Sequence, residues 1–312
     1  MKQFVSVDDV PNLDALIEIA KACKSNPMSQ KGAGKCLGLV FFNPSLRTRL
    51  STQKAAMNLG MQVMVMNVGA DGWALEMEDG AVMTGDKAEH IKEAAMVLGT
   101  YCDIIGVRSF PKLNSWKEDQ SEPVISAMMK YAGVPVVSLE SECLHPLQSL
   151  ADMMTIQNQK LTRPKITLTW APHPKALPHA VAHSFLQWVK KTDAVVTVTH
   201  PKGYELDPHF TDGVNVVYDQ DEALKGADLV YAKNWSSLSD YGKVLCQSEE
   251  WTINDQKMDL TNNGKLMHCL PIRRNVIATD HVIEARSLIK EQAENRLWAA
   301  QAVLSEILND LP

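Results

Sequence analysis

Cys36-Leu37-Gly38-Leu39-Val40-Phe41-Phe42-Asn43-Pro44-Ser45-Leu46-Arg47-Thr48-Arg49 is an apolar run of strand length that ends in a turn and passes into polar, helix-forming sequence. A short apolar run closed by Asn-Pro-Ser reads as a buried strand over 36–42 feeding a helix over 48–59. Working outward, the same alternation recurs. Strands are expected at 62–68, 103–108, 134–139, 165–170, 194–199, 215–218 and 229–232, and helices at 14–22, 90–99, 124–131, 147–157, 178–190 and 222–225. Strands alternating with amphipathic helices imply an α/β protein with doubly wound parallel sheets, whose ligands collect beyond the carboxyl ends of the strands.

The chain has 312 residues, more than one hydrophobic core usually serves, so two domains are expected. The break falls in 147–161, giving a first domain over 1–150 and a second over 151–289. A last helix, patterned over 294–311 within the segment 290–312, is expected to return to the first domain, although periodicity alone does not carry that expectation. The apolar fraction of 45% and charged fraction of 22% are those of an ordinary globular protein. The N-terminal residues lack a signal pattern and no apolar run approaches a bilayer span, so a cytoplasmic protein is expected, with no membrane partner. Six cysteines without CxxC pairs read as reduced thiols. A net charge of −6 and a pI near 5.9 argue against nucleic acid as a partner. Any anionic ligand must therefore be held locally, which draws attention to Arg47, Arg49, Arg108, Arg273, Arg274 and Arg296.

The turn at Asn43-Pro44-Ser45 leads into a first helical turn holding Leu46, Arg47, Thr48 and Arg49. Free backbone N–H groups, two hydroxyls and two guanidiniums suit a phosphate. They equally suit an N-cap serine followed by solvent-facing arginines, and the local pattern does not separate the two. Arg108 ends a second apolar strand, and His145-Pro146-Leu147-Gln148 follows a third. Each alone is bland, being a solvated strand-end arginine or a turn, but Thr, Arg and His at successive exits could donate to one developing oxyanion. In His268-Cys269-Leu270-Pro271-Ile272-Arg273-Arg274, the cysteine lacks an identifiable base and is not assigned as a nucleophile. Lys31-Gly32-Ala33-Gly34-Lys35-Cys36 precedes a strand and lacks the first Gly and the Ser/Thr of a P-loop. His179 and His183 have helical spacing but no neighbouring Glu for a zinc site. A Rossmann dehydrogenase fails for want of a Gly-rich nucleotide loop.

As a set, Ser45-Leu46-Arg47-Thr48-Arg49, Arg108, His145-Pro146-Leu147-Gln148, His268-Cys269-Leu270-Pro271 and Glu294-Asn295-Arg296 resemble the transcarbamylase (aspartate/ornithine carbamoyltransferase) family across nearly the whole chain. The Ser-Met-Gly loop of ordinary ornithine carbamoyltransferases is absent. Lys233-Asn234-Trp235-Ser236-Ser237-Leu238-Ser239-Asp240-Tyr241-Gly242 stands in its place. With Trp73 and Thr169-Trp170-Ala171-Pro172-His173-Pro174, it is similar to the branch that carbamoylates N-acylornithines.

The resemblance implies that Ser45, the Leu46 N–H, Arg47 and Thr48 hold the phosphate, with Trp73 supplied by a neighbouring subunit of a homotrimer. Arg108 and His145 would polarise the carbonyl, with Thr48 and Arg47 completing the catalytic set. Gln148, the Cys269-Leu270 backbone and Arg296 would position the carbamoyl group. Glu140, His173, Lys233 and Arg273 would bind the acylornithine. A knotted second domain is implied, and no metal or organic cofactor. At the position aligned with Ala88 the acetyl branch typically has Glu and the succinyl branch Pro. Alanine leaves room and adds no negative charge to repel a second carboxylate. Leu50-Ser51-Thr52-Gln53-Lys54 and His200-Pro201-Lys202-Gly203-Tyr204-Glu205-Leu206 are also closer to the succinyl branch. The acceptor implied is N-succinyl-L-ornithine, carbamoylated to N-succinyl-L-citrulline in arginine biosynthesis, with N-acetyl-L-ornithine as the alternative. A non-catalytic carbamoyl phosphate sensor on the same fold is the competing class.

Overall fold

In the computed structural model, which describes residues 1–311, β1 (Cys36–Phe41) is buried at every position. A parallel strand covered on both faces needs no polar alternation, which is why its sequence is an unbroken apolar run. It pairs on one side with β2 (Gln62–Asn67), a half-exposed edge strand. Two-residue strands β3 (Leu75–Glu76) and β4 (Glu89–His90) form a small parallel sheet of their own. On its other side β1 pairs with β5 (Ile104–Arg108), and β6 (Val136–Glu140) completes a parallel sheet of order β2-β1-β5-β6. The helices Ile91–Tyr101 and Pro123–Tyr131 pack closely enough that a Cβ on Gly99 would lie 1.7 Å from the Ala132 carbonyl oxygen, so only glycine fits there.

The strand order reverses between β1 and β5, and Phe41 lies in register with Arg108 at that point. A crevice beyond the carboxyl ends of two such strands is where open α/β sheets bind ligands. The Asn43-Pro44-Ser45 turn and Arg108 are delivered there.

A second parallel sheet comprises β7 (Lys165–Trp170), β8 (Val195–Thr199), β9 (Asn215–Val217), β10 (Leu229–Lys233) and β11 (Lys265–Met267), in the order β11-β10-β7-β8-β9. Its reversal lies between β7 and β10, where Trp170 is in register with Lys233. The chain divides by contacts into one unit of Met1–Lys112, Lys117–Leu147 and the residues from Arg296 onward, and another of Leu113–Trp116 and Gln148–Asn295. Two of the four divisions fall inside the helices Pro146–Asn158 and Ile289–Leu308.

Each expected strand is present, with ends shifted by up to two residues. The last helix begins at Ile289 and ends at Leu308, whereas apolar spacing placed it over 294–311. Its first turn is built from Lys290, Glu291 and Gln292, good helix formers that carry no apolar period. Residue 312 of the 290–312 segment lies outside the described residues. The strand β11, the pair β3 and β4, and the short helices Trp116–Asp119, Pro208–Thr211, Asp255–Asp259 and Asp280–Ala285 were not expected. All are six residues or shorter, too few to express a period.

Candidate active site

The helix Arg47–Asn58 begins without a side-chain cap. Leu46, at the cap position, is already in right-handed helical geometry (φ −87°, ψ −61°), so Ser45 stands outside the helix and caps nothing. The N-cap reading of Ser45 is therefore incorrect. An uncapped first turn presents its N–H groups and the positive end of the helix dipole to whatever lies in front of it. A cavity of about 390 Å³ opens there, lined by Phe42, Pro44, Ser45, Arg49 and Asn67 among others. Arg49 donates to the Asn67 side chain and lies 4.8 Å over the Phe41 ring, which fixes it as a wall of this cavity. Thr48 is buried, and its Oγ1 accepts from Arg296 Nη2 at 2.7 Å. Arg47 opens the helix and is partly exposed.

Arg108 is 7% exposed. Its Nη1 donates to the carbonyl oxygens of Asn43 (3.0 Å) and Pro44 (2.6 Å), the two residues before Ser45. Its Nε and Nη2 approach Glu140 Oε2 at 3.2 and 3.0 Å. The same oxygen lies 3.7 Å from His145 Nε2. One buried carboxylate thus joins the second and third strand exits, and the arginine ties them to the first.

His145 is held by the turn before it. Ser141 N–H donates to the Leu144 carbonyl (2.8 Å), and Leu144 N–H to Ser141 Oγ (3.1 Å). The Glu122 carboxylate accepts from Ser141 Oγ and from Cys143 N–H. Burial pushes the Glu122 carboxyl above its ordinary value. Burial, with the charges of Glu122 and Asp119 adding to it, raises Glu142 to about 7.

Trp73 stands away from this cavity lining. It is 58% exposed and donates from Nε1 to Glu89 Oε2 at 2.8 Å. Ala88 is exposed just before β4, beside Lys87, whose Nζ is 3.0 Å from Glu76 Oε1.

In the second unit, Lys233 ends β10 and is buried, its Nζ donating to the Asn234 carbonyl at 2.6 Å. His173 follows β7 and accepts at Nε2 from Arg273 Nε (3.0 Å). Its Nδ1 lies 2.9 Å from the Lys175 carbonyl oxygen and 3.1 Å from the Lys175 backbone nitrogen, so both ring nitrogens are held. Burial holds His173 below its ordinary value, and the charges of Arg273 and Lys233 lower it further. Arg273 and Lys233 thus give the surroundings of His173 a positive field, the chemistry that suits a carboxylate. In the loop from His268, the Leu270 N–H donates to His268 Nδ1 (2.8 Å), Leu270 adopts φ 59°, and the Leu270–Pro271 bond is cis. Gln148 sits in the first turn of the helix Pro146–Asn158 and donates from Nε2 to Asp152 Oδ1 at 2.8 Å.

The expected residues thus form two groups. Ser45, Leu46, Arg47, Thr48, Arg108, Glu140, His145 and Arg296 lie in the first unit, and Gln148, His173, Lys233, Cys269, Leu270 and Arg273 in the second. Sequence reasoning missed Asn43, Glu122 and Asp152. Asp152 had a signal, since it lies four residues after Gln148 on an expected helix. Glu122 had none. Cys269 is partly exposed and stays unassigned as a nucleophile. His183 stacks on Phe210 at 4.0 Å inside aromatic packing, as a core residue does.

Residues 2–158 match the profile of the aspartate/ornithine carbamoyltransferase carbamoyl-P binding domain, and residues 178–307 that of the Asp/Orn binding domain. The chain belongs to the aspartate/ornithine carbamoyltransferase family. Among members of this family, the N-succinylornithine carbamoyltransferase of Bacteroides fragilis (strain 638R) is 47% identical over 318 residues, covering 100% of both chains. The N-acetylornithine carbamoyltransferase of Xanthomonas axonopodis pv. citri (strain 306) is 40% identical over 332 residues, covering 98% of this chain and 96% of the other. A solved structure of an N-acetyl-L-ornithine transcarbamylase with one glutamate replaced by alanine, complexed with carbamyl phosphate and N-succinyl-L-norvaline, superposes with a TM-score of 0.94 at 39% identity, covering 98% of this chain and 100% of that one. The uncapped helix, Arg108 and His145 all lie within the carbamoyl-P binding match, and Lys233 and Arg273 within the Asp/Orn binding match.

Proposed function

We propose that the protein transfers the carbamoyl group of carbamoyl phosphate to the δ-amine of N-succinyl-L-ornithine, giving N-succinyl-L-citrulline and phosphate, in arginine biosynthesis. The observation that carries the donor half is the uncapped helix start at residues 45–48, whose preceding carbonyls are gripped by Arg108. Ser45, the Leu46 N–H, Arg47 and Thr48 receive the phosphate. Arg296 donates into Thr48 Oγ1, so the hydroxyl proton of Thr48 is directed elsewhere, and Thr48, Arg108 and His145 donate to the carbonyl oxygen. The neutral δ-amine attacks the carbonyl carbon. Collapse of the tetrahedral intermediate breaks the bond to phosphate, which leaves with the proton of the amine. The carbamoyl NH2 is a donor and takes acceptors from Gln148 and the Cys269-Leu270 carbonyls, because the Leu270 N–H is already used within its loop.

His173, Lys233 and Arg273 take the carboxylate end of the acceptor, and Glu140 the amine end. Support for the succinyl group comes from the full-length relative at 47% identity and from Ala88, which puts no anion where an acetyl-branch glutamate is expected. The alternative acceptor, N-acetyl-L-ornithine, is supported by the 40% relative. We assign a cytoplasmic homotrimer, with Trp73 completing a neighbour's site and a knotted second unit. The exposed indole and six free cysteines support the trimer and the compartment.

The test is citrulline-product formation from carbamoyl phosphate with N-succinyl-, N-acetyl- and free L-ornithine side by side. The expected order is succinyl, then acetyl, with free ornithine inert. Binding of carbamoyl phosphate without turnover on any of the three would replace the enzyme with a sensor.

A further inference from the structure

Asp152 has no exposed surface, and three donors converge on its carboxylate. Gln148 Nε2 reaches Oδ1 at 2.8 Å, Gln292 Nε2 reaches the same oxygen at 2.9 Å, and Tyr231 Oη reaches Oδ2 at 2.9 Å. An ionised carboxylate only accepts, so each glutamine must turn its NH2 toward it and its carbonyl oxygen the other way. Gln292 shows the consequence, since its Oε1 accepts from the His268 backbone N–H at 2.8 Å. His268 opens the loop that contains Cys269 and Leu270. Buried polar groups linked in this way lose their rotational choice together.

We infer that Asp152 is a positioning residue for carbamoyl transfer, fixing the amide of Gln148 with its oxygen toward the carbamoyl NH2 and, through Gln292, the backbone at His268. This rests on the proposed role of Gln148 and the 269–270 carbonyls. A glutamine free to flip would present NH2 to the NH2 of the donor half of the time, replacing an acceptor with a repelling donor. The carboxylate removes that state before the substrate arrives, as supporting contacts do for any precise site.

Asp152→Asn keeps the shape and removes the acceptor-only character. Its KM for carbamoyl phosphate should rise at least tenfold while its KM for acylornithine stays within twofold and its thermal midpoint stays within a few degrees. In a Gln148→Ala background the same change should raise the carbamoyl phosphate KM at least threefold less than it does in the wild type, because part of its route is gone. Tyr231→Phe, which spares both glutamine bonds, should leave both KM values unchanged. If Asp152→Asn does not fold, Gln292→Met carries the test through the other arm, with the same split between the two KM values expected. An equal rise in both KM values, no rise, or full additivity with Gln148→Ala would overturn the inference. Wild-type protein that forms no citrulline product from any ornithine would overturn the proposed function instead, and an active wild type beside a normal Asp152→Asn would overturn this inference alone.

Discussion

Arg108 does two things at once: it faces Glu140 and, through Nη1, holds the carbonyls of Asn43 and Pro44 just before the helix Arg47–Asn58, where the phosphate is proposed to bind. Arg108→Ala should therefore lower kcat by about 10²–10³-fold, as for loss of an oxyanion donor, and also raise the KM for carbamoyl phosphate. Arg108→Lys should recover little, because an ammonium cannot span the carboxylate and two carbonyls in one plane. Steady-state kinetics in both substrates check this, and near-normal kcat in Arg108→Ala would remove the residue from the chemistry. Glu142 makes a different prediction. Its carboxyl is raised to about 7 in the fold, chiefly by burial, and Oε2 has no hydrogen-bond partner among the described residues. The unfolded chain releases this proton near the ordinary value of about 4.3. Between the two values the native state holds more protons, so stability falls as pH rises through that window and the loss is complete above about 7. Glu142→Gln cannot ionise, so its stability relative to wild type should improve on the order of 3 kcal/mol between pH 4 and pH 8, measured by denaturant unfolding at each pH. Of this residue-scale detail, the positions of Thr48, Arg108 and His145 were legible because Arg108 ends an apolar strand and the other two lie where the chain passes from such a strand into the next helix. Glu142 and Glu122 were not, because their burial depends on packing between segments distant in sequence.

At the scale of the element, the helix Arg47–Asn58 shows where legibility stops. A strand, a turn and a helix were readable from apolar run, Asn-Pro and helix formers, and their boundaries came within a residue or two. Which residue occupies the cap position was not, since Ser45 and Leu46 differ only in one backbone turn that Arg108 enforces from another strand. The strand β11 escaped for a related reason. Three residues, Lys265-Leu266-Met267, take strand form only because β10 is there to pair with them. A bare helix N-terminus forgoes the stability of a cap and leaves its N–H groups open. Ser45→Asp should place a negative charge against the dipole and stabilise the ligand-free protein by about 0.3–1 kcal/mol. The same charge repels the phosphate, so the KM for carbamoyl phosphate should rise at least about tenfold while that for acylornithine changes little. A variant both more stable and unimpaired toward carbamoyl phosphate would mean that the phosphate does not sit at this helix start.

For the whole molecule, the exposed Trp73 has to be explained together with the buried Arg108. A large indole is left 58% exposed on the segment before β3 and held by a hydrogen bond to Glu89, so its free face is open to the neighbouring chain of the proposed homotrimer. In the proposed homotrimer each site takes Arg108 from one chain and Trp73 from the next, a heterologous contact that closes after three copies. Trp73→Ala and Arg108→Ala trimers should each be nearly inactive. Unfolding and refolding an equal mixture then creates sites in which a Trp73→Ala chain supplies Arg108 and an adjacent Arg108→Ala chain supplies Trp73. Random assembly makes about a quarter of all sites complete, so the mixture should regain about a quarter of wild-type activity, while each variant refolded alone regains none. Sites built within one chain would stay inactive on mixing, because no chain in the mixture carries both residues. Recovered activity therefore reports shared sites directly, and its absence from a mixture that sedimentation shows to be fully trimeric would place Trp73 outside the neighbour's site.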